Sequence, residues 1–127
     1  MKTAIELKMT AEEQKDLEAI LDENSISYSV YEQRNGVFCE IEFWSGLGED
    51  VVYSFEWDRT IKGFVDEFRT YARDFEPYEH ACMWISMSES ERERMGVPSE
   101  NKWLIEDAEE IKQTLETVDK ELNEKFN

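Results

Sequence analysis

The chain's clearest structural signal lies in residues 28–57, which read YSVYEQRNGVFCEIEFWSGLGEDVVYSFEW. Apolar and polar residues alternate on both sides of Asn35-Gly36, and such alternation is typical of strands with one buried face. Asn-Gly is a strong two-residue hairpin signal, because a type I′ turn needs positive φ at both central positions. A turn centred on this dipeptide pairs Val30 with Ile41. The stretch therefore predicts an antiparallel hairpin in that register.

A second loop, at residues 45–50, leads to a third alternating segment at residues 51–57. In the predicted sheet, one face is apolar and carries Tyr28, Val30, Cys39, Ile41, Phe43, Val51, Tyr53, Phe55 and Trp57. The opposite face carries Ser29, Tyr31, Phe38, Glu40, Glu42, Val52, Ser54 and Glu56. The sequence thus predicts a three-stranded antiparallel meander with one buried face.

Segments with helical apolar spacing flank this sheet on both sides. The first helix is predicted to begin at Thr10, because Thr10 and Glu13 can form a capping box, and to end near Asn24. The next helix follows Asp58, which we expect to cap it. Gly63 lies inside that helix, where glycine is unfavourable, so we expect it to mark a close approach to another element.

A further helix is predicted to start at Pro77, and the last one after Ser99. The last helix has apolar residues at alternating spacings of four and three: Leu104, Ala108, Ile111, Leu115, Val118 and Leu122. This seam either packs on the helix's own domain, the interpretation we favour, or forms a dimer with a second copy. Residues 5–9 also allow a short opening strand. The sequence predicts a single α+β domain over residues 1–127, in the order α-β-β-β-α-α-α, with helices on one sheet face.

Acidic residues dominate the surface composition. The chain has 31 Asp and Glu against 14 Lys and Arg, which gives a formal net charge of −17. This charge disfavours direct binding to nucleic acid or to an anionic membrane, because both need cationic side chains. It favours a cationic partner, and the alternative is that it serves only solubility. The charged N-terminus and the lack of a long apolar run predict a cytoplasmic protein.

The sequence contains no arrangement that points to catalysis, a metal or a cofactor. His80 is the only histidine, and we expect it to have a structural role. No phosphate-binding loop, zinc spacing or calcium loop is present. Cys39 and Cys82 lie in apolar contexts, so we expect free thiols, with Cys39 buried and Cys82 at least partly buried. We therefore expect that the protein is not an enzyme.

The polar face of the predicted sheet is the candidate binding surface. Glu40, Glu42 and Glu56 lie on it, and Glu49 and Asp50 lie in the adjoining loop. Two residues along a strand span roughly 7 Å, so Glu40 and Glu42 form a regular pair. We expect acidic residues of the first helix to extend this surface: Glu12, Glu13, Asp16 and Glu18. Carboxylates spaced in this way on a rigid sheet can imitate phosphates, and the alternative is an ordinary solvated polar face.

Two resemblances suggest a biological setting. Residues 76–85, EPYEHACMWI, and residues 96–99, GVPS, followed by residues 104–111, LIEDAEEI, resemble segments of small acidic proteins carried on phages and mobile elements of bacteria. In size, acidity and element order, the chain is similar to DNA-mimicking anti-CRISPR proteins that occupy the cationic DNA site of Cas9. These resemblances imply an inhibitor whose partner is a Cas nuclease or a restriction enzyme. The alternative is an adaptor or oligomeric structural module of a mobile element, whose acidity is incidental.

Overall fold

The structure, a computed structural model, describes residues 5–44, 50–96 and 101–126. Within these ranges, helix α1 (Ala11–Glu23) precedes strands β1 (Ser27–Gln33), β2 (Gly36–Trp44) and β3 (Asp50–Glu56). The helices that follow are α2 (Ile61–Asp74), α3 (Pro77–Ile85), α4 (Glu89–Met95) and α5 (Asn101–Phe126). This order confirms the predicted α+β class and the long C-terminal helix. It adds one short helix, α4, which was not predicted.

The strands form one antiparallel sheet in the order β1-β2-β3. Val30 pairs with Cys39 rather than with Ile41, so the predicted hairpin register was wrong by two residues. Side chains alternate between faces with a period of two, so this error leaves every predicted face unchanged. Residues 5–9, which allowed an opening strand, lie outside the sheet.

The hairpin turn explains the register difference. Its two central residues are Arg34 and Asn35, with φ angles of 51° and 66°, whereas the prediction placed Asn35 and Gly36 there. Gly36 instead begins β2, where an added Cβ would lie 3.2 Å from Cε2 of the Phe38 ring. A side chain at this position would therefore crowd the Phe38 ring. Both central positions of the turn lie one residue earlier in the sequence than predicted.

The apolar sheet face packs against α2. The sheet contributes Cys39, Ile41, Phe43, Val51, Phe55 and Trp57 to the buried core. Phe64 of α2 is fully buried and makes edge-on ring contacts with Phe55 and Trp57, each with ring centroids 5.9 Å apart. Burial of one such side chain contributes about 1.5–3 kcal/mol, so this cluster holds the sheet against the helices.

The apolar seam of α5 is buried within the chain, because its six residues are at most 4% exposed. Leu104 and Ala108 pack with Ala81 of α3, and the other four belong to the main core. Lys112 of α5 also donates from Nζ to the carbonyl oxygen of Ala72, near the end of α2. These contacts confirm that the helix docks on its own domain, as we favoured over a dimer seam.

Helix N-termini follow the predicted capping chemistry in part. Thr10 accepts a hydrogen bond from the Glu13 amide and the Glu13 carboxylate accepts one from the Thr10 amide, which confirms the capping box. Ser99, predicted to cap the last helix, lies outside the described residues. Each cap supplies acceptors to helical N–H groups that have no partner inside the helix.

The N-cap of α2 is Thr60, so the prediction that Asp58 caps this helix was wrong. Thr60 Oγ1 accepts from the Gly63 amide at 2.9 Å, and the Asp58 carboxylate in turn accepts from Thr60 N and Oγ1 at 3.0 and 2.7 Å. A Cβ on Gly63 would lie 2.1 Å from Asp58 Oδ1. The predicted close approach at Gly63 is thereby confirmed, and Asp58 is the group that approaches.

Candidate protein-binding surface

The sheet face that points away from the helices, here called the open face, carries the candidate site. Its described side chains are Ser27, Ser29, Tyr31 and Gln33 of β1, Phe38, Glu40 and Glu42 of β2, and Val52, Ser54 and Glu56 of β3. This set contains three carboxylates and no lysine or arginine. The described part of the open face is therefore anionic.

The three glutamates are evenly spread on this face. Glu40 and Glu42 lie two residues apart on β2, at roughly 7 Å. Glu56 is the diagonal neighbour of Glu40 on β3, at about 7 Å by the usual sheet geometry. The direct cross-strand neighbours of all three are serine, valine or phenylalanine. The carboxylates thus form a bent row in which no two like charges lie directly opposite each other.

An aromatic pair lies at the hairpin end of the open face. The rings of Tyr31 and Phe38 are stacked, with centroids 5.6 Å apart and an interplanar angle of 17°. Both side chains are half-buried, and Phe38 is paired with Glu56 across the sheet. Rigid aromatic side chains bury much area on binding and lose little conformational entropy, so this pair can anchor a partner beside the carboxylates.

An acidic cleft continues the open face around the edge of β3. Its volume is about 240 Å³, and its lining comprises Glu56, Trp57, Asp58, Gly63, Asp66 and Glu67. Hydrogen bonds from Thr60 hold the pKa of Asp58 below its usual range. Sequence reasoning missed Asp66 and Glu67. The signal was their spacing of three and four residues from Gly63, which places all three on one side of α2.

Two of the acidic residues of α1 do not join the open face as expected. Glu18 accepts a hydrogen bond from Tyr28 Oη at 3.1 Å, and the Tyr28 ring contacts Phe64 on the core side of the sheet. Glu13 completes the capping box of α1. Asp16 lies 3.6 Å from Lys125 Nζ of α5. Glu18 and Asp16 therefore face other helix-side groups and do not extend the open face, whereas the contribution of Glu12 and Glu13 to the predicted negative surface stays a prediction.

The predicted site residues have different outcomes in the structure. The sheet brings Glu40, Glu42 and Glu56 together, with Glu56 exposed and the other two half-buried. Asp50 begins β3, opposite Trp44 of β2. Glu49 lies outside the described residues. The strand residues thus form one surface, whose relation to the loop residue Glu49 stays a prediction.

The groups that could carry chemistry are dispersed. Burial, followed by the charge of Glu40, raises the pKa of the Cys39 thiol to about 12, which keeps it protonated and unreactive. Cys82 is exposed, so the prediction that it is partly buried was wrong. The His80 ring stacks at a tilt on Phe75, with centroids 5.3 Å apart. Among the described residues, no three His, Cys, Asp or Glu side chains are placed to hold a metal ion.

Comparisons with protein families, curated proteins and solved structures found no match to this chain. None of the helices in the described ranges is long and apolar enough to cross a membrane. The function is therefore argued from the geometry and charge of the open face alone.

Proposed function

We propose that the protein is an acidic inhibitor that imitates nucleic acid and docks its open face in the cationic DNA-binding groove of a bacterial defence nuclease of the Cas9 type. The observation that carries this proposal is the bent row of Glu40, Glu42 and Glu56 on a sheet face without a described cation. A groove built to bind phosphates presents lysine and arginine side chains at its surface. Such a groove accepts a rigid array of carboxylates.

The carboxylates are far enough apart that their mutual repulsion destabilises the free protein only slightly. Two charges 7 Å apart repel each other by about 0.6 kcal/mol in water, so the row costs little stability. In a groove of lower effective dielectric, the attraction to facing cations and the repulsion within the row grow by the same factor. The open face gains on binding when each carboxylate meets a cation closer than the roughly 7 Å that separates the carboxylates.

The net charge of −17 acts at longer range. Opposite potentials on two proteins steer their encounter and raise the association rate, and salt screens this effect. The acidic cleft lined by Glu56, Asp66 and Glu67 widens the negative surface towards α2. Inhibition should accordingly be strongest at low ionic strength.

The test is cleavage of target DNA by a panel of Cas nucleases and restriction enzymes, with and without excess protein. The double variant Glu40→Lys/Glu42→Lys should lose inhibition and keep its circular dichroism spectrum, because both residues lie on the solvent side of the sheet. The matched control is Glu121→Lys/Glu124→Lys near the end of α5, which changes the net charge equally. We expect this control to inhibit like the unmodified protein. Equal inhibition by both double variants would refute mimicry through the open face.

A second candidate function is that of an adaptor whose acidity is incidental. The stacked Tyr31–Phe38 pair favours it, since aromatic pairs of this kind are typical anchors of protein interfaces. An adaptor held by these rings should bind its partner with little dependence on salt, and Tyr31→Ala should weaken binding more than Glu40→Lys/Glu42→Lys. A pull-down from host lysate with a salt gradient separates the two functions, because rising salt elutes a partner held by charge before one held by the aromatic pair.

A further inference from the structure

The outer edge of β3 offers unpaired backbone groups. The Trp57 amide donates to the Val37 carbonyl oxygen at 2.9 Å, so these two residues form a hydrogen-bonded pair at the end of the β2–β3 ladder. Such pairs alternate along antiparallel strands. The N–H and C=O groups of Val52, Ser54 and Glu56 consequently point away from β2. Among the described residues, no other element forms a backbone hydrogen bond with these three.

In the part of the chain that the structure describes, the only protection against pairing on this edge is acidic charge. Natural edge strands carry charged side chains, above all lysine, or proline or a bulge, or are covered by another element. β3 reads DVVYSFE, without lysine or proline, and pairs with β2 residue by residue without a bulge. Val52 is 48% exposed. The other edge strand, β1, differs because α1 lies beside it and Glu18 accepts from Tyr28 Oη.

Carboxylates border the β3 edge on both sides of the sheet. Glu56 lies on the open face, and Glu67 of α2 lines the acidic cleft with it on the helix side. Burial, and then the charges of Glu67 and Asp74, raise the pKa of Tyr53. The negative charges of Glu67 and Asp74 are therefore felt at the middle of β3. Arg73 lies 3.1 Å from Asp74, whereas no ion pair within the described ranges involves Glu56 or Glu67. The edge is therefore anionic.

The same charges argue against a second copy of this chain as the occupant. Two β3 strands paired antiparallel in full register place Asp50 opposite Glu56 at both ends. Like charges directly opposite each other destabilise a strand pair. Each chain also carries a net charge of −17, which opposes association of two copies. A cationic segment of another protein meets neither obstacle.

We propose that the outer edge of β3 binds an extended segment of a partner protein that carries lysine or arginine, and that this segment joins the sheet as a fourth strand. Main-chain hydrogen bonds with Val52, Ser54 and Glu56 supply affinity. Cationic side chains beside Glu56 and Glu67 supply selectivity. This inference goes beyond the proposed function, because it requires a strand edge and its charge but no imitation of nucleic acid.

Two fluorescent peptides of equal length and charge test the proposal, one alternating lysine with threonine and one alternating lysine with proline. The lysine–threonine peptide can form a strand, whereas proline removes donors and disfavours pairing. We expect the lysine–threonine peptide to bind at least about tenfold more tightly than the lysine–proline peptide in fluorescence anisotropy titrations. The reason is that it can form at least two main-chain hydrogen bonds that the proline peptide cannot form. Equal affinity would show that charge alone binds them and would overturn the proposal.

Amide hydrogen exchange locates the binding. The lysine–threonine peptide should slow exchange at Val52, Ser54 and Glu56. Slowed exchange confined to β1, or no change at all, would contradict the inference. The same protection should persist in Glu40→Gln/Glu42→Gln, the residues on which the proposed function depends, so the two proposals can fail separately.

A pair of variants at one position provides a second measurement. Ser54→Pro removes an outward amide, and Ser54→Ala keeps it. We expect Ser54→Pro to lose peptide binding about tenfold relative to Ser54→Ala, provided that both retain native circular dichroism. Equal binding by the two folded variants would overturn the proposal. If Ser54→Pro does not fold, the exchange measurement on the unmodified protein decides.

Discussion

Gly63→Ala should destabilise the protein, although alanine is the better helix former. Alanine at a helical position is favoured over glycine by about 1 kcal/mol. The new Cβ would lie 2.1 Å from Asp58 Oδ1, so the carboxylate must leave its place. Asp58 then loses two hydrogen bonds from Thr60, each contributing about 1 kcal/mol. The balance is a decrease of about 1 kcal/mol in the free energy of unfolding.

A double-mutant cycle with Asp58→Ala checks this reasoning by the sign of the effect. Once the carboxylate is absent, Gly63→Ala meets no clash and should stabilise the protein by up to about 1 kcal/mol. The coupling between the two positions is then about 2 kcal/mol, a size typical of residues in direct contact. Urea unfolding of the four proteins measures it. An increase in stability from Gly63→Ala in the unmodified background, or the same effect in both backgrounds, would refute the account of Asp58.

Two further predictions concern buried groups. Asp107 is 6% exposed, and none of the described residues donates a hydrogen bond to its Oδ2. Asp107→Leu should therefore raise the free energy of unfolding by about 1–3 kcal/mol in urea titrations, and an unchanged or lower value would contradict this. Burial raises the pKa of Cys39 from 9.0, and those of Tyr28 and Tyr71 from 10.0, to about 12. The stability that these protonated groups contribute is complete below pH 9 and is lost as the pH rises towards 12. The urea midpoint of unfolding should therefore fall over that interval. A constant midpoint would show that the pKa values of these three groups are not raised by folding.

Local patterns predicted the fold class and the sheet faces. Alternation with a period of two assigned Cys39 and Ile41 to the core and Glu40 and Glu42 to the open face. This assignment survived a register error of two residues, because any even shift keeps each side chain on its face. The helical spacing of α5 likewise predicted a buried seam. The three central glutamates of the candidate site were thus available from the sequence.

Contacts between distant segments decided what local patterns could not. The hairpin turn lies at Arg34 and Asn35, although Asn-Gly alone favours a turn one residue later. The packing of α1 on the helix side of the sheet placed Glu18 against Tyr28 and away from the open face. The contact between Glu18 and Tyr28 joins two different elements, so it does not follow from residues that are neighbours in sequence.

At the anionic edge of β3, too, the sequence pattern predicted one carboxylate and the packing of the elements supplied the other. The alternation within residues 51–57 placed Glu56 on the open face, while only the packing of α2 beneath the sheet brought Glu67 next to it. Side-chain periodicity is a property of the backbone geometry of a single strand or helix, so the sequence alone determined which residues share a face. The distance between two faces depends on how whole elements pack, and that was decided only by the tertiary structure.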